Sequence, residues 1–325
     1  MRNVFEEILT ALERGQPVIR IAVVKSSGST PRAAGASMAV FEDGSITGTI
    51  GGGSVEHASY TAAKKLAPGQ TLIRDFDLTN NNAASIGMVC GGSMTVLIDS
   101  LLPTEENVTL VRKVIAQFSS PETRILATTL ATDGTVSQRD VLPLNDNTSD
   151  AVRAPFLSHS ENNTVFFEPL LAPETVHFIG GGHVAQATAK LAAFTGFQVI
   201  VVDDREEFAN SERFPDAMEI RLVASLKDCL PAQLGPKDYV VIMTRGHLHD
   251  RDVLAQALKT NAGYVGMIGS KKKKAVTYDS LLKAGFTQTA LNQVHCPIGL
   301  SIGADTPEEI AISIMAELIR VRSNY

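Results

Sequence analysis

The sequence predicts the α/β fold class, with an N-terminal mixed α/β domain over residues 1–172 and a C-terminal doubly wound parallel-sheet domain over residues 173–325. The C-terminal half alternates short apolar runs with helix-like runs, a pattern typical of a parallel sheet covered by helices. The N-terminal half instead carries a hairpin signal at Asp43-Gly44. The proline-containing segment 169–173 predicts a linker between the domains, and 325 residues are enough for both.

The composition of the chain argues against several classes of function. The net charge is −6, and basic residues cluster in one short run, which argues against nucleic acid as a partner. Glu6 and Glu7 stand where a signal peptide would be apolar, and no apolar run is long enough to span a membrane. Cys90, Cys229 and Cys296 are widely spaced, which predicts reduced thiols and a cytoplasmic protein.

In the N-terminal half, apolar spacing predicts both helices and strands. Val4, Phe5, Ile8 and Leu12 recur at helical spacing, so a helix is predicted over 3–14. Further helices are predicted near 54–66 and over 104–118, and strands over 18–24, 36–41, 45–50, 71–77, 93–98, 123–130 and 164–170. Proline and asparagine are frequent in residues 143–163, which predicts a long surface loop there.

In the C-terminal half, strands are predicted over 175–179, 198–202, 237–243 and 263–268. Helices are predicted over 186–194, near Asp250 and through the lysine run 271–274. A last helix starts at Thr306-Pro307, where Thr306 and Glu309 have the spacing of a capping box. The apolar face of that helix predicts a core or dimer contact.

The turn after residue 179 carries the pattern of a dinucleotide fingerprint, which makes the C-terminal domain Rossmann-like. Gly180, Gly182 and Ala185 match G-x-G-x-x-G/A between a strand and a helix. Asp203 ends the next strand and is expected to hold a ribose diol, while Arg205 leaves a 2′-phosphate possible. The alternative is an ordinary strand–helix–strand unit with a glycine turn.

Other candidate ligand-binding residues follow the carboxyl ends of the predicted strands, where such sheets bind ligands. We expect phosphates at His183 and the preceding glycines, and polar ligand contacts from Arg245 and His247. His247, His249 and Asp250 form only a weak metal pattern, and helix capping by Asp250 is favoured over it. Lys271 begins a lysine run, for which a solvated basic face is the usual explanation; because the run opposes the helix dipole at the end of a strand, binding of an anionic ligand by one or two of these lysines is the alternative.

A second glycine-rich turn lies in the N-terminal half. Gly51, Gly52 and Gly53 lead into a helix and form a second candidate anion cradle. Glu56 lies in the first turn of that helix, where complementing the helix dipole is the alternative role. The preceding loop, residues 25–35, is rich in hydroxyl groups and offers Arg32 as an anion donor, although its composition also suits a surface loop.

Cys90 and Gly91 end a polar loop just before a predicted strand. A thiol in such a setting could ligate a soft metal or carry sulfur, so Cys90 is the candidate metal ligand. The alternative is a small buried apolar side chain, which is the usual role of free cysteine.

Together these motifs resemble the XdhC/CoxI family, the accessory maturation factors of xanthine dehydrogenase and carbon monoxide dehydrogenase. The resemblance spans nearly the whole chain, and the motifs that carry it are Gly28-Ser29-Thr30-Pro31-Arg32, residues 48–53 with Glu56, Cys90-Gly91-Gly92, residues 180–185, residues 202–205, Thr244-Arg245-Gly246-His247 with Asp250, residues 268–271 and residues 297–310. Each motif alone is unspecific, whereas their ordered set is highly specific.

The resemblance implies a function. Family members bind the molybdenum cofactor, as molybdopterin or its dinucleotide form, protect it while its sulfido ligand is installed, and deliver it to a molybdenum hydroxylase. The implied partners are that client enzyme and a cysteine desulfurase, and the implied assembly is a homodimer. Such a chaperone would have no turnover of its own.

Other classes of function stay open from the residues alone. An NAD(P)-dependent oxidoreductase would share the C-terminal fold and would use His247 as its proton donor. A nucleotide-sensing regulator without turnover would share it as well. The fold cannot separate these classes.

Overall fold

The computed structural model describes residues 2–78, 91–118, 120, 122–133, 135–144, 155–160, 163–171 and 173–323. The chain divides into two compact units, Met1–Ala172 and Pro173–Tyr325. Within the described residues, no helix combines the length and the hydropathy needed to cross a membrane.

The N-terminal unit begins with a helix and an antiparallel sheet whose strand order is β3-β2-β1-β5-β4. Its elements are α1 (Arg2–Glu13), β1 (Val18–Ser27), β2 (Ser37–Phe41), β3 (Ile46–Gly48), α2 (Gly53–Ala63), β4 (Thr71–Asp77) and β5 (Ser93–Leu101). The strands alternate their side chains between two faces, so Val18 packs with α1 while Ile21 and Val23 pack with α2. This sheet therefore holds the glycine turn before α2 against a buried core.

A further antiparallel sheet with the order β7-β6-β9-β8 completes the N-terminal unit. Its elements are α3 (Glu105–Gln117), β6 (Arg124–Ala131), β7 (Val136–Pro143), β8 (Phe156–His159) and β9 (Asn163–Leu170). Two ion pairs tie it to the first sheet: the buried pair Arg20–Glu168, and Arg139 with Asp99. Because one partner alone would be a buried unpaired charge, each pair fixes how the two sheets meet.

The C-terminal unit is a parallel sheet with the order β12-β11-β10-β13-β14. Its elements are β10 (Thr175–Ile179), α4 (His183–Phe194), β11 (Gln198–Asp203), β12 (Glu219–Leu222), a 3₁₀ turn (Leu226–Asp228), β13 (Asp238–Ile242), α5 (His247–Ala257), β14 (Tyr264–Met267), α6 (Lys271–Lys283), α7 (Gln288–Asn292) and α8 (Pro307–Ser323). One core cluster packs α4 and α8 on the sheet, and another packs α5 and α6 on its opposite face. The predicted doubly wound, Rossmann-like domain is confirmed.

Three strands were not predicted from the sequence. β7 is largely polar and only partly buried, so the alternation of apolar and polar residues is weak. β8 lies within the predicted loop 143–163 and corrects that prediction, since pairing with β9 outweighs the local loop composition. β12 has four residues at a sheet edge, where Glu219 and Arg221 pair with each other. The capping box of α8 is confirmed, because Glu309 N donates to Thr306 Oγ1 and Thr306 N donates to Glu309 Oε2.

Candidate functional site

The carboxyl ends of the C-terminal strands bring the predicted ligand-binding residues of that unit to one edge of the sheet. The glycine turn follows β10, which is paired with β11 on one side and β13 on the other. Asp203 ends β11, Arg245 follows β13, and Lys271 begins the helix after β14. The glycine turn therefore lies at the centre of this edge, and we call the edge the C-terminal crevice.

In the glycine turn of the C-terminal crevice, Gly180 packs closely against the chain just after β13, whereas Gly182 faces open space. Gly180 has φ +106°, and a Cβ there would lie 2.4 Å from the Met243 carbonyl oxygen. At Gly182, a Cβ would meet no atom within 4 Å. In the described part of the chain, no side chain caps α4, and the N–H groups of Gly182 and His183 have no protein acceptor. The turn is thus accessible to an anion, as the fingerprint requires.

Asp203 is held by the protein in a way the sequence does not reveal. The residue is 1% exposed. Its Oδ2 accepts from Gly181 N (2.7 Å) and Arg205 Nη2 (2.9 Å), and its Oδ1 accepts from Arg205 N (3.0 Å) and Arg205 Nε (2.9 Å). Burial would raise the pKa of Asp203, but the bonds from Arg205 and Gly181 outweigh it and keep the pKa below its ordinary value. Binding of a ribose diol by Asp203 stays a prediction, and it would require Arg205 to move.

Asp204 is a candidate that sequence reasoning missed. Arg245 Nη2 donates to Asp204 Oδ2 over 2.9 Å, so an ion pair joins the strand ends on either side of the glycine turn. The side chain of Arg245 is 49% exposed and that of Asp204 is 15% exposed. The doubled acid at 203–204 was the available signal, because the second acid, although it also lies 3.9 Å from Arg205 Nε, is hydrogen-bonded to Arg245.

The lysine run separates into half-buried and exposed members. Lys273 pairs with Asp250, a fully buried carboxylate that also accepts from Thr244 N (3.2 Å) and Thr244 Oγ1 (2.6 Å). Lys274 lies over the Tyr278 ring. Lys271 is exposed, and its ammonium group has no partner within the described residues. Asp250 therefore orders the loop after β13, and Lys271 stays available to an anionic ligand.

His247 is the first residue of α5, and its side chain lies outside the described part of the structure. Cys90 also lies outside the described residues. Among the residues that are described, no group of three or more His, Cys, Asp or Glu side chains is arranged to hold a metal ion. The roles of His247 and Cys90 stay predictions.

In the N-terminal unit, glycine contacts bring three of the predicted motifs together. A Cβ at Gly51 would lie 2.4 Å from Pro31 Cβ and 3.2 Å from Arg32 Cγ. A Cβ at Gly28 would lie 2.8 Å from the Gly91 carbonyl oxygen. The loop 28–32, the glycine turn 48–53 and residues 91–92 thus form one cluster that depends on glycine at its contacts.

Glu56 fills the glycine turn of the N-terminal unit. Its Oε2 accepts from Thr49 Oγ1 (2.6 Å), Ile50 N (3.0 Å) and Gly52 N (3.0 Å). Burial would raise the pKa of Glu56, but these hydrogen bonds outweigh it and hold the pKa below its ordinary value. N–H groups that were predicted to meet an external anion are therefore bonded to a carboxylate of the chain itself.

The other cysteines differ in setting from a reactive thiol. Cys229 and Cys296 are free and buried. Burial raises the pKa of Cys229 to about 11 and raises the pKa of Cys296 above its ordinary value. Since the thiolate is the reactive form, these thiols are inert at neutral pH.

Two family models match separate stretches of this chain. Residues 176–318 match the model of the XdhC Rossmann domain, and residues 11–77 match the model of the XdhC and CoxI family. A crystal structure from Bacillus halodurans, described as a xanthine dehydrogenase, has a TM-score of 0.78 at 26% identity and covers 98% of this chain and 96% of its own.

Curated relatives cover nearly all of this chain. YqeB of Escherichia coli K12, an uncharacterised protein, is 28% identical over 99% of this chain, which spans only 47% of its length. A Bacillus subtilis protein, named as a probable component of xanthine dehydrogenase, is 28% identical, covering 98% of this chain and 97% of its own. The molybdenum cofactor insertion chaperone PaoD of Escherichia coli K12 is 25% identical, and the match covers 99% of this chain and 88% of PaoD. The two family models, matched in order along the chain, and these relatives show that the chain belongs to the XdhC and CoxI family.

Proposed function

We propose that this protein binds the molybdenum cofactor and inserts it into a molybdenum hydroxylase such as xanthine dehydrogenase. PaoD is named as an insertion chaperone of this kind, and the Bacillus subtilis relative is named for xanthine dehydrogenase. The observation that carries the proposal is the open glycine turn at Gly182, where N–H groups at the start of α4 have no acceptor among the described residues. Molybdopterin carries a phosphate and its dinucleotide form a pyrophosphate, and both suit such a turn.

The described residues fit the anionic part of that cofactor. Gly182 and His183 would hold phosphate through backbone N–H groups, whereas the Gly180 N–H already donates to the Val202 carbonyl oxygen over 2.7 Å. Arg245 and Lys271 would add positive charge. When bound, the cofactor supplies a molybdenum centre whose chemistry serves the client enzyme. This chain's residues then bind, orient and release it, and no residue is assigned to a reaction step.

The N-terminal domain, residues 1–172, is proposed as a separate binding surface for pterin and molybdenum. Arg32, Gly51, Glu56 and Gly91 lie in the cluster described above. Cys90 directly precedes Gly91 in the chain and is proposed as a ligand to molybdenum or as a carrier of sulfur. A cysteine desulfurase would then be the sulfur donor.

Assembly and location are parts of the same proposal. A homodimer and a cytoplasmic location are proposed, the latter because Cys229 and Cys296 are free thiols. Sedimentation of the purified protein tests the dimer, with a monomer at micromolar concentration as the contrary result. Cell fractionation tests the location.

Reconstitution is the test of the proposed function. Apo molybdenum hydroxylase is mixed with purified cofactor, with this protein added or omitted, and client activity is followed. A gain in the rate or extent of activation is expected. No gain, together with steady NADH production by this protein alone, supports the second candidate, an NAD(P)-dependent oxidoreductase of the C-terminal domain. The observation favouring that candidate is the fingerprint with an acid at the end of β11.

A further inference from the structure

The glycine turn of the N-terminal unit is unsuited to phosphate, and this changes what it can bind. Its N–H groups at Ile50 and Gly52 already donate to Glu56, and the Gly51 N–H donates to Thr49 Oγ1 over 3.0 Å. A phosphate here would meet a carboxylate that is ionised at neutral pH, and like charges at close range repel. The turn is therefore a negatively charged surface.

Glu56 is held through one of its oxygen atoms. All the hydrogen bonds to its side chain fall on Oε2, while Oε1 has no protein partner among the described residues. Oε1 is also accessible to solvent, since it is not one of the buried side-chain atoms that lack a hydrogen-bond partner. A carboxylate can accept about four hydrogen bonds, so a fixed side chain retains an acceptor for a ligand.

The backbone beside Glu56 leaves room for a flat group. A Cβ at Gly52 would meet nothing within 4 Å. Glycines without neighbours allow a ligand to approach the backbone closely. On the other side of the turn, Gly51 packs against Pro31, so the turn rests on a rigid neighbour.

We infer that Glu56 binds the edge of a flat heterocycle that presents adjacent N–H donors, such as the 2-amino and ring N–H groups of a pterin. The ionised carboxylate of Glu56 can accept from these N–H groups, and the glycine backbone beside it carries no side chain that would block the ring. Arg32 lies at the same turn and makes no side-chain hydrogen bond in the described part of the chain, so its guanidinium group is available to a hydrogen-bond acceptor on the same ligand. This inference rests on the proposed function, because it assigns the pterin end of the cofactor to this turn.

Pterin and lumazine form the discriminating pair of probes, since they differ at the 2-amino group that Glu56 would accept from. The full chain is titrated with each by fluorescence quenching. Pterin is expected to bind about tenfold more tightly, the size of one hydrogen bond to a charged group. Equal affinity of the wild-type protein for both probes overturns the inference without any variant.

Glu56→Gln sharpens the test. The amide can still accept from Ile50 and Gly52 but presents a donor to the ligand, so the preference for pterin is expected to vanish. Glu105→Gln is the matched control, because Glu105 lies in the first turn of α3 and makes no side-chain hydrogen bond within the described residues. Unchanged pterin preference in a folded Glu56→Gln protein also overturns the inference.

The inference and the proposed function fail in different ways. Pterin preference that depends on Glu56, with no activation of a client enzyme, leaves the binding site standing and removes the chaperone role. Client activation with no pterin preference leaves the chaperone role and removes the Glu56 site.

Discussion

Two glycine-rich turns look alike in the sequence and differ in the structure. Each lies between a strand and a helix, one leading into α2 and the other into α4. In the first turn, Glu56 occupies the N–H groups of Ile50 and Gly52. In the second, Asp203 occupies only the N–H of Gly181, and the turn is open at Gly182.

The origin of the acid explains the difference. Glu56 lies on the helix that follows its own turn, so its side chain reaches back over the turn. Asp203 comes from the neighbouring strand β11 and reaches only the near side of the other turn, where Arg205 holds it. A glycine-rich pattern alone therefore does not predict an anion site, because the acid nearest to the N–H groups decides whether they are free.

Replacing Gly182 or Gly52 by valine is expected to give the largest difference between the two turns. Gly182→Val should lower the affinity for ADP or NAD⁺ about a hundredfold, roughly 2.7 kcal/mol, because the side chain fills the space that a phosphate needs. The fold should survive, since φ is −65° at Gly182. Calorimetry with thermal unfolding measures both.

Gly52→Val is the matched variant in the other turn. With φ +70° it should cost about 1–2 kcal/mol of stability and leave nucleotide affinity unchanged. Equal nucleotide affinity of Gly182→Val and wild type would remove the functional difference between the turns.

Removing the carboxylate of Glu56 should free the N–H groups of the glycine turn before α2. Glu56→Ala leaves Thr49 Oγ1 and the N–H groups of Ile50 and Gly52 without their acceptor, so a loss of about 2 kcal/mol in the free energy of unfolding is expected. Inorganic phosphate should then stabilise the variant more than it stabilises the wild-type protein. Urea denaturation with and without phosphate measures this, and an identical phosphate response in the two proteins contradicts it.

Acid should weaken both turns. The folded-state pKa values of Glu56 and Asp203 lie below their ordinary values of 4.5 and 3.8. Their contribution to stability is therefore complete above those ordinary values and is lost as the pH falls through the lowered ones. Glu56→Gln and Asp203→Asn should each flatten the fall in stability below about pH 4.5. Urea midpoints over an acid pH series measure the slope, and an unchanged slope in both variants contradicts the pKa directions.

The smallest effect is expected from the exposed ion pair beside the open turn. Arg245→Ala should lower nucleotide affinity about threefold and leave stability nearly unchanged, since exposed pairs contribute about 0.2–1 kcal/mol. Arg221→Ala, in the Glu219 pair on β12, is the control and should change nucleotide affinity by less. A larger loss from Arg221 than from Arg245 would argue against a ligand in the C-terminal crevice.

The sequence predicted the C-terminal fold well because its strands are apolar runs bounded by glycine and charged residues. β10 and β13 are almost wholly buried, so their composition alone marks them. β7, β8 and β12 escaped prediction because their stability comes from pairing with neighbours rather than from local pattern.

The places of the candidate residues in the fold were predicted, whereas their contacts were not. The pattern placed Gly182, Arg245 and Lys271 at strand ends, where the structure has them. It could not show that Glu56 fills its own turn, that Arg205 holds Asp203, or that Asp204 meets Arg245. Those contacts, some between side chains and some between a side chain and the backbone, are set by packing, and residue spacing carries no information about them.

The most direct measurement is of what the protein carries from the cell. Wild-type protein and Gly182→Val are purified from cells fed with molybdate, and the bound molybdenum, pterin and nucleotide are measured by elemental analysis and mass spectrometry. The proposed function predicts molybdenum and pterin in near-equal amounts with the wild-type protein, and much less of both with Gly182→Val. NAD alone on the wild-type protein, with neither molybdenum nor pterin, would contradict it.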